Sequence, residues 1–84
     1  MSNHAGSYML NDLLSKMVEF GYFKDMNEVE NKKFLTMINK LIFYNDCNLG
    51  EVFDEKLAKV FNICRYCSKY RLDINDEGYC KECA

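Results

Sequence analysis

The chain has 84 residues, 49% of them hydrophobic and 14% aromatic, with 11 Lys and Arg against 13 Asp and Glu for a formal charge of -2. That length allows one domain, or one small domain with an appendage, and excludes a second, enzyme-sized unit. The composition excludes a solvated low-complexity chain, and the near-neutral charge argues against the broad basic surface that gives nucleic-acid binders their sequence-independent affinity.

Residues Met1 to Ser7 are small and polar, with neither the cationic start nor the apolar run of a secretory signal. No apolar run approaches the roughly 20 residues needed to span a bilayer, so no membrane partner is expected. The expected setting is intracellular, cytoplasmic or, in a eukaryote, nuclear, where thiols stay reduced and paired cysteines more often hold metal than form disulfides. Residues 1–8 read as a flexible N-terminus or an appended leader, and no role rests on His4.

Three amphipathic helices are expected over residues 9–63. The first spans about Tyr8 to Phe20, with Met9, Leu10, Leu13, Leu14, Met17, Val18 and Phe20 on one half of the wheel and Gly21 placed to close it. The second spans about Asn27 to Tyr44 and opens with Asn27 and Glu30 at the spacing of a capping box. Its apolar residues cover a half-cylinder, wider than the stripe of an ordinary surface helix. Phe34, Ile38 and Leu41 are the expected inward stripe, and the edge carrying Met37 and Tyr44 is a candidate partner surface. Asn45 to Asn48 is turn chemistry, with Cys47 read as a small, partly buried residue within it. A third helix, about Leu49 to Ile63, is expected to bury Val52, Phe53, Leu57, Val60 and Phe61 and to lead directly into Cys64. With the second it forms a weaker helix-turn-helix reading, weighed against by Glu51, Asp54 and Glu55.

The C-terminal quarter carries Cys64-Arg65-Tyr66-Cys67, twelve further residues, then Cys80-Lys81-Glu82-Cys83. Two residues between cysteines let both thiolates turn toward one ion, and two such pairs complete the tetrahedron that zinc prefers. One structural Zn²⁺ per chain, held by Cys64, Cys67, Cys80 and Cys83, is therefore expected. The same four thiolates would also hold iron. Disulfides would need an oxidising compartment, and a redox Cys-x-x-Cys would call for one motif beside a strand-helix unit. Leu72 and Ile74 alternate in a way that reads as a brief hairpin between the two pairs.

Residues 64–83 resemble the four-cysteine zinc ribbons and knuckles found in many small transcription-associated proteins. The resemblance implies a bare ribbon hairpin and, by association, a role near transcription machinery. The expected fold is thus all-α, about three helices, with a small C-terminal four-cysteine ribbon or knuckle hairpin, residues 64–84, packed on the helical part.

An enzyme is not expected. Four thiolates leave zinc no open position for water or substrate, and the one histidine is His4. The leading functional expectation is a small zinc-stabilised adaptor or regulator that binds another protein. One alternative is nucleic-acid binding through Arg65, Lys69 and Arg71, which interleave with Tyr66 and Tyr70. The competing reading is that these cations balance an anionic metal centre and nearby Asp73, Asp76 and Glu77. A self-associating structural protein, with a homodimer as its simplest form, is a further alternative.

Overall fold

Four short polar side chains start the four helices of the computed structural model, which describes residues 3–84. Asn3 accepts from Gly6 N ahead of α1 (His4–Glu19), Asn27 from Glu30 N ahead of α2 (Glu28–Tyr44), Asn48 from Glu51 N ahead of α3 (Leu49–Val52), and Asp54 from Leu57 N ahead of α4 (Glu55–Phe61). Each cap satisfies an amide that has no partner within its helix. At the other end of α1, Gly21 has φ 78° and Tyr22 N donates to Met17 O, the reversal that glycine makes at low cost.

Three sequence expectations change. Helix α1 begins at His4 rather than near Tyr8, because Asn3 caps it and its first turn is held in place: Asn48 N donates to the buried Ser7 hydroxyl, and His4 Nδ1 lies 2.7 Å from Glu51 Oε1. Residues 4–8, read from the sequence as a flexible N-terminus or leader, are therefore helical; Met1 and Ser2 lie outside the described residues. The expected third helix is two helices, α3 and α4, broken at Phe53 and Asp54. A helix-turn-helix would need an unbroken reading element there, and these helices have four and seven residues. Third, the expected hairpin is absent: among the described residues there is no strand, only an isolated antiparallel bridge between Ile63 and Tyr70, and Leu72 is exposed.

The break between α3 and α4 has a local cause. In a continuous helix Leu57 N would donate to Phe53 O; here the Asp54 carboxylate takes that amide at 2.9 Å, as short polar side chains do when they compete with the helix ladder. Phe53 turns inward and is fully buried, with its ring 5.8 Å from Phe61. The break also releases carbonyls from the ladder. Asn11 Nδ2 donates to Val52 O at 2.9 Å, which ties α1 to the break, and Arg65 takes those of Gly50 and Phe53.

The core joins Leu14 of α1 and Leu35, Ile38 and Ile42 of α2 to Val52, Phe53, Leu57, Ala58, Phe61 and Ile63. Phe61 is its hub: Phe23, from the loop after α1, stands 4.9 Å away edge-on, and Phe34 at 5.5 Å. The inward stripe of α2 is Asn31, Leu35, Ile38 and Ile42, with Phe34 packed at its edge; of the expected Phe34, Ile38 and Leu41, it is Leu41 that turns outward. Asn31 faces the core because its amide donates to Phe61 O at 2.8 Å, satisfying the last turn of α4. Leu41 and Val60 are correspondingly more exposed than their place in the pattern implied. No helix of the described residues is long and apolar enough to cross a membrane.

Candidate metal centre

Helix α4 ends at Asn62, whose left-handed conformation (φ 56°, ψ 46°) reverses the chain, and Ile63 N closes back on Ala58 O. Ile63 and Cys64 are driven into the core by that reversal. The first cysteine pair then folds as a tight loop: Ser68 N donates to Cys64 O, Cys64 N to Lys69 O and Arg71 N to Asn62 O. Ser68 sits at φ 56° in its turn.

The second pair is set by Asn75, whose side-chain oxygen accepts from both Glu77 N and Tyr79 N, while Asn75 N donates to Tyr79 O. Cys83 N and Ala84 N both fold back on Cys80 O. One backbone bond joins the two loops, Arg65 N to Gly78 O at 2.8 Å.

These turns bring the sulfurs of Cys64, Cys67, Cys80 and Cys83 within 4.8 Å of one another. The Cys67 and Cys80 sulfurs are 3.9 Å apart. Four ligands at about 2.3 Å in a tetrahedron stand about 3.8 Å from each other, so the cluster can close on one metal ion with only small movements. Cys64 and Cys80 are buried, with Cys67 and Cys83 partly covered. Cys47, partly buried near Gly6, is not among the four.

The electrostatics of the cluster favour a cation. Burial raises the Cys64 thiol, but backbone N–H groups of Cys67, Cys80 and Tyr66 aimed at its sulfur outweigh that and hold it down at about 6. Cys83 moves the other way, pushed up to about 12 by the Cys80 thiol, by burial and by the neighbouring Cys64 sulfur. Four sulfurs this close cannot all ionise by themselves, and a divalent cation relieves the repulsion.

Arg65 pins this loop pair to the helices. Its guanidinium donates from Nε to Phe53 O at 2.9 Å, from Nη2 to Gly50 O at 2.9 Å and from Nη1 to Glu77 O at 3.1 Å, and it lies over the Tyr79 ring. Arg71 also faces the protein's own oxygens, in more exposed ion pairs: two of its nitrogens meet Asp73 and a third Glu82, while Asp73 also accepts from Lys81 N. Lys59 of α4 pairs with Asp76. Lys69 is exposed. Of the three cations expected to meet nucleic acid, two thus have their guanidinium groups turned to the protein's own oxygens.

Sequence reasoning missed the anchoring role of Arg65, because two of its partners are carbonyls that exist only where α3 and α4 separate. It also missed Gly78. That residue has φ 90°, and a Cβ there would run into Arg65 Cδ, with Arg65 Cγ at 2.9 Å and Ala58 Cβ at 3.1 Å. Gly78→Ala is expected to lower stability by about 1–3 kcal/mol from backbone strain alone, with more from displaced Arg65. Denaturant titration of the metal-loaded protein measures this, and an unchanged midpoint would show that the glycine is not required.

No family model matches the chain, and no curated protein or solved structure is similar enough to count as a match.

Proposed function

We propose that Cys64, Cys67, Cys80 and Cys83 bind one structural zinc ion, and that the chain is a small zinc-stabilised adaptor that acts by binding another protein. The observation that carries the metal reading is the convergence of the four sulfurs from two separate loops. With all four tetrahedral positions taken by thiolate, zinc has no place for water or substrate, so its role is to hold the loops and not to catalyse. The zinc-ribbon resemblance of residues 64–83 makes transcription machinery the first place to look for the partner.

Protein binding is favoured by the surface. Large apolar residues stand exposed on α1 and α2, Met9, Leu13, Met37, Phe43 and Tyr44 among them, on a chain whose core is already filled. Exposed patches of this kind mark interaction sites. The nucleic-acid reading is weaker, because Arg65 would have to abandon backbone carbonyls, and Arg71 its pairing with Asp73, to reach phosphates. The zinc-loaded chain, immobilised, is expected to retain a protein partner at physiological salt. Retention of nucleic acid instead, falling steeply as salt rises, would reverse the ranking; three cations limit that slope to about -3 on logarithmic axes.

A further inference from the structure

The four sulfurs of the cysteine cluster are not equivalent. Cys64 is fully buried, and its sulfur accepts from three backbone amides, Tyr66 N at 3.4 Å, Cys67 N at 3.5 Å and Cys80 N at 3.4 Å. Cys80 is fully buried as well, with its sulfur 3.9 Å from that of Cys67. Cys67 and Cys83 are only partly covered. These two differ in turn. The Lys69 amide faces the Cys67 sulfur, whereas the neighbours of the Cys83 sulfur are the other three sulfurs, and among the described residues no backbone amide donates to it.

Both differences act on reactivity in the same direction. When four thiolates fill the coordination sphere the metal has no free position, so a reagent that reaches the centre meets sulfur first. An N–H group aimed at a thiolate takes up part of its charge, and a thiolate whose charge is better stabilised is a weaker nucleophile. Coverage sets access. Cys64 is screened on both counts, Cys80 by burial and Cys67 by its amide. Cys83 combines an open approach with a sulfur that receives no such donor.

The second cysteine pair can also close on itself. Cys83 N donates to Cys80 O at 3.0 Å, so Cys80 to Cys83 is one tight turn, and such a turn holds its end Cα atoms within about 7 Å. A disulfide spans about 4.4–6.8 Å between Cα atoms. The two cysteines can therefore join without moving the first loop, which Arg65 holds to Phe53 O and Gly50 O by bonds that involve no sulfur.

We propose that Cys83 is the modification site of the loaded centre, the sulfur at which small soft electrophiles attack, and that a hydroperoxide there yields a Cys80–Cys83 disulfide and released metal. The proposal rests on the zinc reading. With hydrogen peroxide, the Cys83 thiolate attacks one oxygen, the O–O bond breaks, the S–O bond of a sulfenic acid forms and hydroxide leaves. The Cys80 thiolate then attacks that sulfur, the S–S bond forms and a second hydroxide leaves. Two thiolates and one peroxide thus give one disulfide and two hydroxides, the sulfurs oxidised by two electrons and the peroxide reduced by two. Cys64 and Cys67 remain as two ligands where the tetrahedron needs four, so the centre gives up its metal.

The test uses the full, metal-loaded chain carrying Cys47→Ser, which removes the cysteine outside the cluster. Iodoacetamide, which forms an S–C bond as iodide leaves, is added below one equivalent; peptide mass mapping reads the labelled residue and a metal-sensitive dye follows release. Cys83 is expected to carry label ahead of Cys67 by about fivefold, the factor to which one hydrogen bond corresponds, with metal released in step. Because Cys83→Ser would lose metal outright, the position is tested as Cys83→His, since three cysteines and a histidine still hold zinc. Cys83→His is expected to slow peroxide-driven release several-fold and to abolish the disulfide, while Cys67→His leaves the rate and the Cys80–Cys83 disulfide close to the parent. Label appearing first at Cys67, or release slowed equally by the two histidine variants, would overturn the proposal. A parent without metal would fail the zinc reading and this proposal together, whereas a loaded parent attacked elsewhere fails this proposal alone.

Discussion

Cys80→Ser is expected to leave purified protein with well under half a metal ion per chain, where the parent carries close to one. Cys80 supplies a sulfur 3.9 Å from that of Cys67, donates its amide to the Cys64 sulfur, and receives the amides of Cys83 and Ala84. A serine hydroxyl in its place stays protonated and offers zinc a poor ligand. Structural zinc binds with about 10–16 kcal/mol at neutral pH, a sum to which each thiolate contributes substantially, so one lost ligand is a loss of several powers of ten in affinity. Cys47→Ser should leave the stoichiometry unchanged, since Cys47 lies outside the cluster. Metal analysis of the two variants beside the parent measures both outcomes. Full metal content in Cys80→Ser would refute the ligand set.

Arg65→Ala is expected to destabilise the folded protein by about 3 kcal/mol, since hydrogen bonds to charged groups contribute about 1.5–3 kcal/mol each and are not additive. In a domain of this size that corresponds to a fall in melting temperature of roughly 12–24 °C. The loss falls on the joint between the metal loops and the helices, because Gly50 O, Phe53 O and Glu77 O would all lose their donor together. Arg65→Lys should rescue little: one ammonium cannot reproduce a planar fork that reaches three carbonyls in different directions. Thermal melting of metal-loaded protein distinguishes this from a nucleic-acid role. If Arg65→Ala melts like the parent and loses only affinity for nucleic acid, the guanidinium is a surface contact and not a clamp.

The cysteine cluster was legible in the sequence because its information is local. A Cys-x-x-Cys spacing already dictates that two sulfurs face one point, and the twelve-residue spacer can return the chain without any help from the helices. The helix starts at Asn27 and Asn48 were legible for the same reason, each being a contact over three residues. What lay beyond reach depended on partners far along the chain. Asn31 is polar, yet it faces inward, where its amide satisfies Phe61 O, thirty residues away, and the stripe is centred on Leu35, Ile38 and Ile42. Leu41 moves out and Leu35 moves in. Asp54 reads as one more charge on a helix, and its capping of Leu57 shows only once Phe53 is seen to turn into the core. The hairpin expected at Leu72 and Ile74 rested on alternation over three residues, too short to specify a strand, and the Asn75 turn and Arg71–Asp73 pair order that segment without one.

Zinc-edge X-ray absorption of the purified, metal-loaded chain tests the central claim most directly. Four sulfur neighbours at about 2.3 Å, with no nitrogen or oxygen in the first shell, are the expected result. A first shell containing nitrogen or oxygen, or fewer than four sulfurs, would contradict a centre built from Cys64, Cys67, Cys80 and Cys83.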